Sequence, residues 1–156
     1  MKREPLQFDD IVRDVFADAQ ILAKPANIEV QLATCEPVTI QGDRHRLRQL
    51  LLNLVDNAIK YNAPGGLVNI ALTRVHEYAE LLVSNTGPGI PAESLPRVFD
   101  RFYRADPAHG DDVEGCGLGL SIAQWITSAH NGSVKIKSAP SELTIVTVCL
   151  PLAAAT

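Results

Sequence analysis

What this sequence has little of narrows it quickly. Basic residues are in the minority, 14 Lys and Arg against 18 Asp and Glu, for a formal net charge of −4. Nucleic-acid binding needs a basic face, and the cluster of Arg97, Arg101 and Arg104 is too local to provide one; no nucleic-acid partner is expected. No apolar run approaches the roughly 20 residues of a spanning helix, and no signal-peptide pattern opens the chain, so this stretch is not expected to insert into a membrane. Only three cysteines occur, Cys35, Cys116 and Cys149, widely separated and without CxxC or Cys/His metal spacing. Unpaired thiols in a reducing compartment fit that pattern best. His45, His76, His109 and His130 are equally scattered, and read as surface or internally satisfied side chains rather than ligands or nucleophiles.

What remains is a chain of 156 residues, 46% hydrophobic and 21% charged. That is one globular domain, 1–156 with a core over about 6–151, large enough to bury its own interior. Phe8, Ile11, Val12, Val15, Phe16, Ala19 and Leu22 keep helical spacing, with Asp9 or Asp10 at the start and Pro25 as the stop. Residues 28–33 alternate as a strand, and 38–41 is short enough to pair with it as a hairpin around Pro37. Asp43 is the expected N-cap of a second helix. Strands follow over 68–73 and 78–84, joined by His76-Glu77. A short helix is expected from 91 or 92 to about 102, then an aperiodic polar loop to 115. A third helix covers 118–130 with Gly132 beyond its end, then strands cover 133–138 and 144–150, leaving Pro151 and the Ala-rich end as a tail. Three helices and mostly hairpin-joined strands predict an α+β fold, a two-layer sandwich with a mixed, mostly antiparallel sheet and helices on one face.

The second helix is the unusual element. Leu47, Leu50, Leu51, Leu54 and Ala58 form an apolar stripe, while Arg46, Gln49, Asn53, Asn57, Lys60 and Tyr61 share the other face. Asn is a poor helix former, so two of them one turn apart are either ordinary polar surface or carboxamide oxygens aimed at a hydrated cation. Two glycine segments follow. In Asn85-Thr86-Gly87-Pro88-Gly89 the glycines let backbone approach a planar ligand, beside an Asn that both donates and accepts. Gly115-Cys116-Gly117-Leu118-Gly119 opens the third helix, where bare N–H groups can cradle phosphate. Each segment alone is equally a tight turn, and neither has the P-loop or dinucleotide spacing.

Taken in order, these motifs resemble the ATP-binding catalytic domain of sensor histidine kinases, of the Bergerat fold shared with gyrase, heat-shock chaperone and mismatch-repair ATPases. Asn53-Leu54-Val55-Asp56-Asn57-Ala58-Ile59-Lys60-Tyr61 matches the N box, and Asn85-Thr86-Gly87-Pro88-Gly89 the first glycine box. Val98-Phe99-Asp100-Arg101-Phe102-Tyr103-Arg104 matches the F box, and Gly115-Cys116-Gly117-Leu118-Gly119-Leu120 the second glycine box. The resemblance implies ATP and Mg²⁺ as cofactors. It gives Asn57 to the metal, with Asn53 lining the same site; Lys60 to the phosphates; and Tyr61 to the sugar or base. Asn85, Gly87 and Gly89 fall to the adenine, and Arg101 and Arg104 to the polyphosphate. Gly115, Gly117, Leu118 and Gly119 surround the phosphates, 103–114 forms the ATP lid, and Phe99 and Phe102 anchor it. Asn57, Lys60 and Arg101 are the expected catalytic set. Asn85 departs from the family's Asp, yet an amide oxygen still accepts from the adenine amino group. With the 95–107 stretch, that Asn resembles the heavy-metal-responsive branch of copper and silver sensors; an engineered substitution is the alternative.

The hydrolases of this wider family place a Glu four residues before the metal-binding Asn. Here that residue is Asn53, which cannot act as a general base, and Glu80, Glu93 and Glu114 lie outside the motif. The resemblance therefore implies a kinase with slow or absent hydrolysis. None of the four histidines has the family's acceptor context, so the acceptor would sit on a dimerisation and histidine-phosphotransfer domain of the same receptor, with a response regulator downstream. The chain is expected to be the cytoplasmic domain of a bacterial inner-membrane receptor, not competent alone for autophosphorylation. An anti-sigma-factor-type serine kinase of the same fold, and a nucleotide-binding switch without catalysis, are the competing expectations.

Overall fold

The computed structural model describes residues 2–87, 116–137 and 143–153. In chain order they form β1 (Glu4–Gln7), α1 (Phe8–Ala23), a 3₁₀ turn (Lys24–Ala26), β2 (Glu29–Cys35), β3 (Thr39–Gly42), α2 (Arg44–Lys60), β4 (Leu67–Val75), β5 (Tyr78–Asn85), α3 (Cys116–Ala129), β6 (Ser133–Lys137) and β7 (Thr144–Pro151). A five-stranded sheet runs β2-β4-β5-β7-β6, parallel between β2 and β4 and antiparallel elsewhere. The α+β layering expected from the sequence is therefore present.

Period-two alternation sorts each strand's side chains between the two faces of the sheet. On the helix side lie Val68, Ile70 and Leu72 of β4, Ala79, Leu81 and Val83 of β5, and Val146, Val148 and Leu150 of β7, all buried. Against them α2 buries Leu47, Leu50, Leu51, Leu54, Val55 and Ala58, and it packs laterally on both α1 and α3. Each fully buried Leu here contributes about 1.5–3 kcal/mol of transfer free energy. That anchors α2 firmly and makes it a rigid carrier for whatever its remaining face presents.

Two local expectations are corrected. The hairpin of 28–33 with 38–41 does not form: β2 joins β4 in parallel, and β3 instead pairs antiparallel with β1, Leu6 opposite Ile40. Pro37 does not bring the two strands together; the Asp9 carboxylate takes the Val38 N–H at 3.2 Å and draws β3 to α1. As expected, Asp9 and Asp10 stand at the start of α1, in its first turn, with Gln7 as the N-cap. Residues 151–153 are no tail: Pro151 ends β7, Leu152 N–H reaches Glu77 O and Ala153 N–H reaches Thr39 O at 2.8 Å; 154–156 lie outside the described residues. Gly132 lies beyond the end of α3 as expected, preceded by Asn131 in the left-handed region (φ 63°). The helix expected over about 91–102 and the 103–114 loop lie outside the described residues.

Candidate nucleotide site

The candidate site lies at the C-terminal end of α2, and the start of that helix is held in place separately. At its start the Asp43 carboxylate accepts the Arg46 N–H at 3.1 Å and the Lys2 N–H at 3.0 Å, the N-cap expected from the sequence. The Arg46 N–H, with help from Lys2, holds that carboxyl below its ordinary range. The Asp43 N–H in turn donates to His130 Nε2 at 3.0 Å. His130 is buried at the end of α3, and its Nδ1 lies 2.8 Å from Ile126 O. A carbonyl can only accept, so Nδ1 carries the proton and Nε2 is the acceptor. This histidine ties α3 to α2, the internally satisfied role expected of it.

At the other end of α2, the polar face splits. Asn57 is buried, 8% exposed, and its amide nitrogen has no hydrogen-bond partner among the described residues. Asn53, one turn earlier, is half-buried. Lys60 leans on Asp56, Nζ to carboxylate 3.0 Å, in an exposed i,i+4 pair worth a few tenths of a kcal/mol. Tyr61 caps the helix with its N–H on Asn57 O at 3.0 Å. A buried amide left without a partner costs about 1–3 kcal/mol, and no described residue supplies a partner to Asn57 Nδ2.

β5 ends beside this helix terminus at Asn85, also buried. Its Nδ2 donates to Thr86 O at 2.8 Å, which fixes the carboxamide and assigns its oxygen the accepting side. Thr144, buried, stands opposite Asn85 in the ladder with β7. Gly87 then runs against the helix end: at φ 134°, a Cβ on it would lie 2.6 Å from Tyr61 O. The glycine is thus required by close backbone approach. The sequence motifs single out Asn85 and Gly87, but not Thr144, nor Asn62, whose carboxamide bonds Thr86. A polar residue inside a strand pattern was the only available signal for Thr144, and Asn62 reads simply as turn.

Gly117, Leu118 and Gly119 lie in the first turn of α3, where four N–H groups lack intrahelical partners. That turn begins at Cys116, two residues before the 118 start read from periodicity. Gly89, Arg101, Arg104 and Gly115 lie outside the described residues, as do Phe99 and Phe102. Glu80 is excluded as a base by the pleat. It lies between Ala79 and Leu81, which face the helices, and so points to the opposite side of the sheet from α2.

The fold and this pairing of α2 with a glycine turn at a strand end define a nucleotide-binding domain of the histidine-kinase catalytic type. Residues 42–154 match the family described as histidine kinase-, DNA gyrase B-, and HSP90-like ATPase, and the chain belongs to it. It is 37% identical over 137 residues to the sensor histidine kinase CusS of Escherichia coli O157:H7, covering 88% of this chain and 28% of CusS; this relative agrees with the resemblance to the metal-responsive branch. The mycobacterial sensor histidine kinase MprB has a solved structure with a TM-score of 0.82 at 28% identity, covering 98% of this chain and 99% of that one. Full-length ShkA in complex with AMPPNP matches with a TM-score of 0.84 at 27% identity, covering all of this chain and 32% of that one. The protein is thus the ATP-binding catalytic domain of a sensor histidine kinase, and spans under a third of the length of CusS. No helix among the described residues is long and apolar enough to cross a membrane.

Proposed function

We propose that this domain binds Mg-ATP between the end of α2, the Asn85–Gly87 turn and the start of α3, and presents the γ-phosphoryl to a histidine on a dimerisation domain outside this chain. The observation that carries the reading is the buried Asn57 carboxamide with its unpartnered amide nitrogen. A carboxamide offers a hard oxygen to a divalent cation and N–H donors to phosphate. A nucleotide phosphate would supply the acceptor that the Asn57 amide nitrogen lacks among the described residues, and the carboxamide oxygen would be offered to the metal. The presence of AMPPNP in ShkA supports the choice of nucleotide.

In this reading Asn57 holds Mg²⁺ through its oxygen and Asn53 lines the same site. Lys60 exchanges its weak bond with Asp56 for phosphate, and Tyr61 packs near the sugar or base. Asn85 accepts from the adenine amino group, with Gly87 and Gly89 beside the ring. Arg101 and Arg104 take the polyphosphate, while Gly115, Gly117, Leu118 and Gly119 surround it. When bound, Mg²⁺ offsets negative charge on the phosphate oxygens. Asn53 stands where the hydrolases place a Glu, and a carboxamide cannot act as a general base, so the phosphoryl group is kept for the acceptor. The parent protein is then a bacterial membrane receptor signalling to a response regulator.

The experiment is phosphotransfer with labelled ATP, offering a histidine-bearing dimerisation domain, a serine substrate, or neither. Acid-labile label on the histidine domain alone is the expected result. Acid-stable label on serine supports the anti-sigma-type kinase, and tight binding without transfer to either supports a switch. Each of the last two outcomes overturns the reading.

A further inference from the structure

Between the last turn of α2 and the first glycine turn lies a hydrogen-bond set that neither motif accounts for. The Thr86 hydroxyl donates to Asn62 Oδ1 at 2.8 Å and accepts the Leu67 N–H at 2.9 Å. Asn62 Oδ1 also accepts the Ala63 N–H at 2.8 Å, while Asn62 Nδ2 donates to Leu67 O at 3.0 Å. The Thr86 N–H reaches the same Leu67 O at 3.1 Å. The ladder between β4 and β5 ends at Val68 opposite Asn85. Beyond it, the two side chains continue the pairing and add the end of α2 to it.

We propose that Asn62 and Thr86 are positioning residues for the nucleotide, a clamp that fixes Asn85 and Gly87 relative to the end of α2 that carries Asn57. The inference rests on the Mg-ATP reading above. Both lone pairs of Asn62 Oδ1 are occupied, and the hydroxyl of Thr86 both donates and accepts, so these groups act through their neighbours rather than on ligand. The packing leaves no slack. A Cβ at Gly66 would collide with Asn62 Oδ1 and lie 2.6 Å from Thr86 Oγ1. One residue along, Gly87 rests on Tyr61 O, and Tyr61 N–H is bonded to Asn57 O. On the other side, Thr86 O holds the Asn85 amide at 2.8 Å. Displacing Thr86 therefore turns the Asn85 carboxamide and shifts the glycine turn together, while a helix held by its own core stays in place.

The test compares Thr86→Val, which keeps the shape and loses the hydroxyl, with Thr86→Ser, which keeps the hydroxyl. Binding of ATP and GTP analogues with Mg²⁺ is measured well below each variant's melting temperature. Thr86→Val should bind the ATP analogue about tenfold more weakly, the scale of one lost hydrogen bond, and its preference for ATP over GTP should shrink. Thr86→Ser should restore both affinity and preference to within about twofold. Asn62→Ala should reproduce the Val result and add little to it in the double variant, because the two act as one unit; it also serves if Thr86→Val fails to fold. Unchanged affinity and preference in a folded Thr86→Val or Asn62→Ala variant overturns the clamp, even if the melting temperature falls. A wild-type domain that binds neither analogue overturns the Mg-ATP reading and the clamp with it.

Discussion

Replacing Asn57 by leucine should make the empty domain more stable while abolishing its magnesium-dependent nucleotide binding. Leucine has the same branched four-atom side chain as asparagine, without the polar atoms. The site is 8% exposed, and the Asn57 amide nitrogen finds no partner among the described residues. Removing an unsatisfied buried group recovers its desolvation penalty, about 1–3 kcal/mol, with a few tenths more from helix propensity. The residual exposure favours the lower half of that range, a gain of about 1–2 kcal/mol, or roughly 2–8 °C in melting temperature for a domain of this size. The sign is diagnostic, because an ordinary core substitution lowers stability by about 1 kcal/mol. Thermal and urea unfolding without nucleotide or metal, followed by calorimetric titration with a Mg-ATP analogue, make the assay. A less stable empty Asn57→Leu domain would refute the idea that this amide is kept incomplete for a ligand.

The other predictions concern single residues around the same frame. Asn85→Ala should weaken binding of the ATP analogue by about 1–3 kcal/mol, the range for an adenine amino group left unpaired, and reduce discrimination against GTP; calorimetry with both nucleotides checks it. His130→Ala should lower stability by about 2–4 kcal/mol, from a cavity and two lost hydrogen bonds, with little change in nucleotide affinity at low temperature. For Asp43 the folded pKa is depressed, chiefly by the Arg46 N–H. Its contribution is present above the ordinary value of 3.8 and lost as pH falls through the lower folded value. The stability difference between wild type and Asp43→Ala should therefore shrink below that pH, as unfolding curves at constant ionic strength would record.

Periodicity alone identifies α1, α2 and α3 and the hairpin of β4 with β5. The stripe from Leu47 to Ala58 and that from Phe8 to Ala19 each require a 3.6-residue repeat, and β4 and β5 are joined by so short a turn that they could only pair with each other. Asp43 as cap, and Asn57 and Asn85 as the residues to watch, were equally visible, because a polar residue at a costly position is a local fact. Strand partners are not local. An alternating segment says which face is buried but not which edge it joins, so β2 was read with its neighbour in sequence, β3. The fold instead sends it to β4, across the whole of α2, and gives β3 to β1. Parallel pairing needs such a crossover. Contact between the end of α2 and the glycine turn was likewise invisible. Asn62 looks like any turn residue until folding brings Thr86, 24 residues away in sequence, within 2.8 Å. The helix and the turn were written in the chain; their juxtaposition came from the core, because only the burial of α2 against β4 and β5 brings those two ends together.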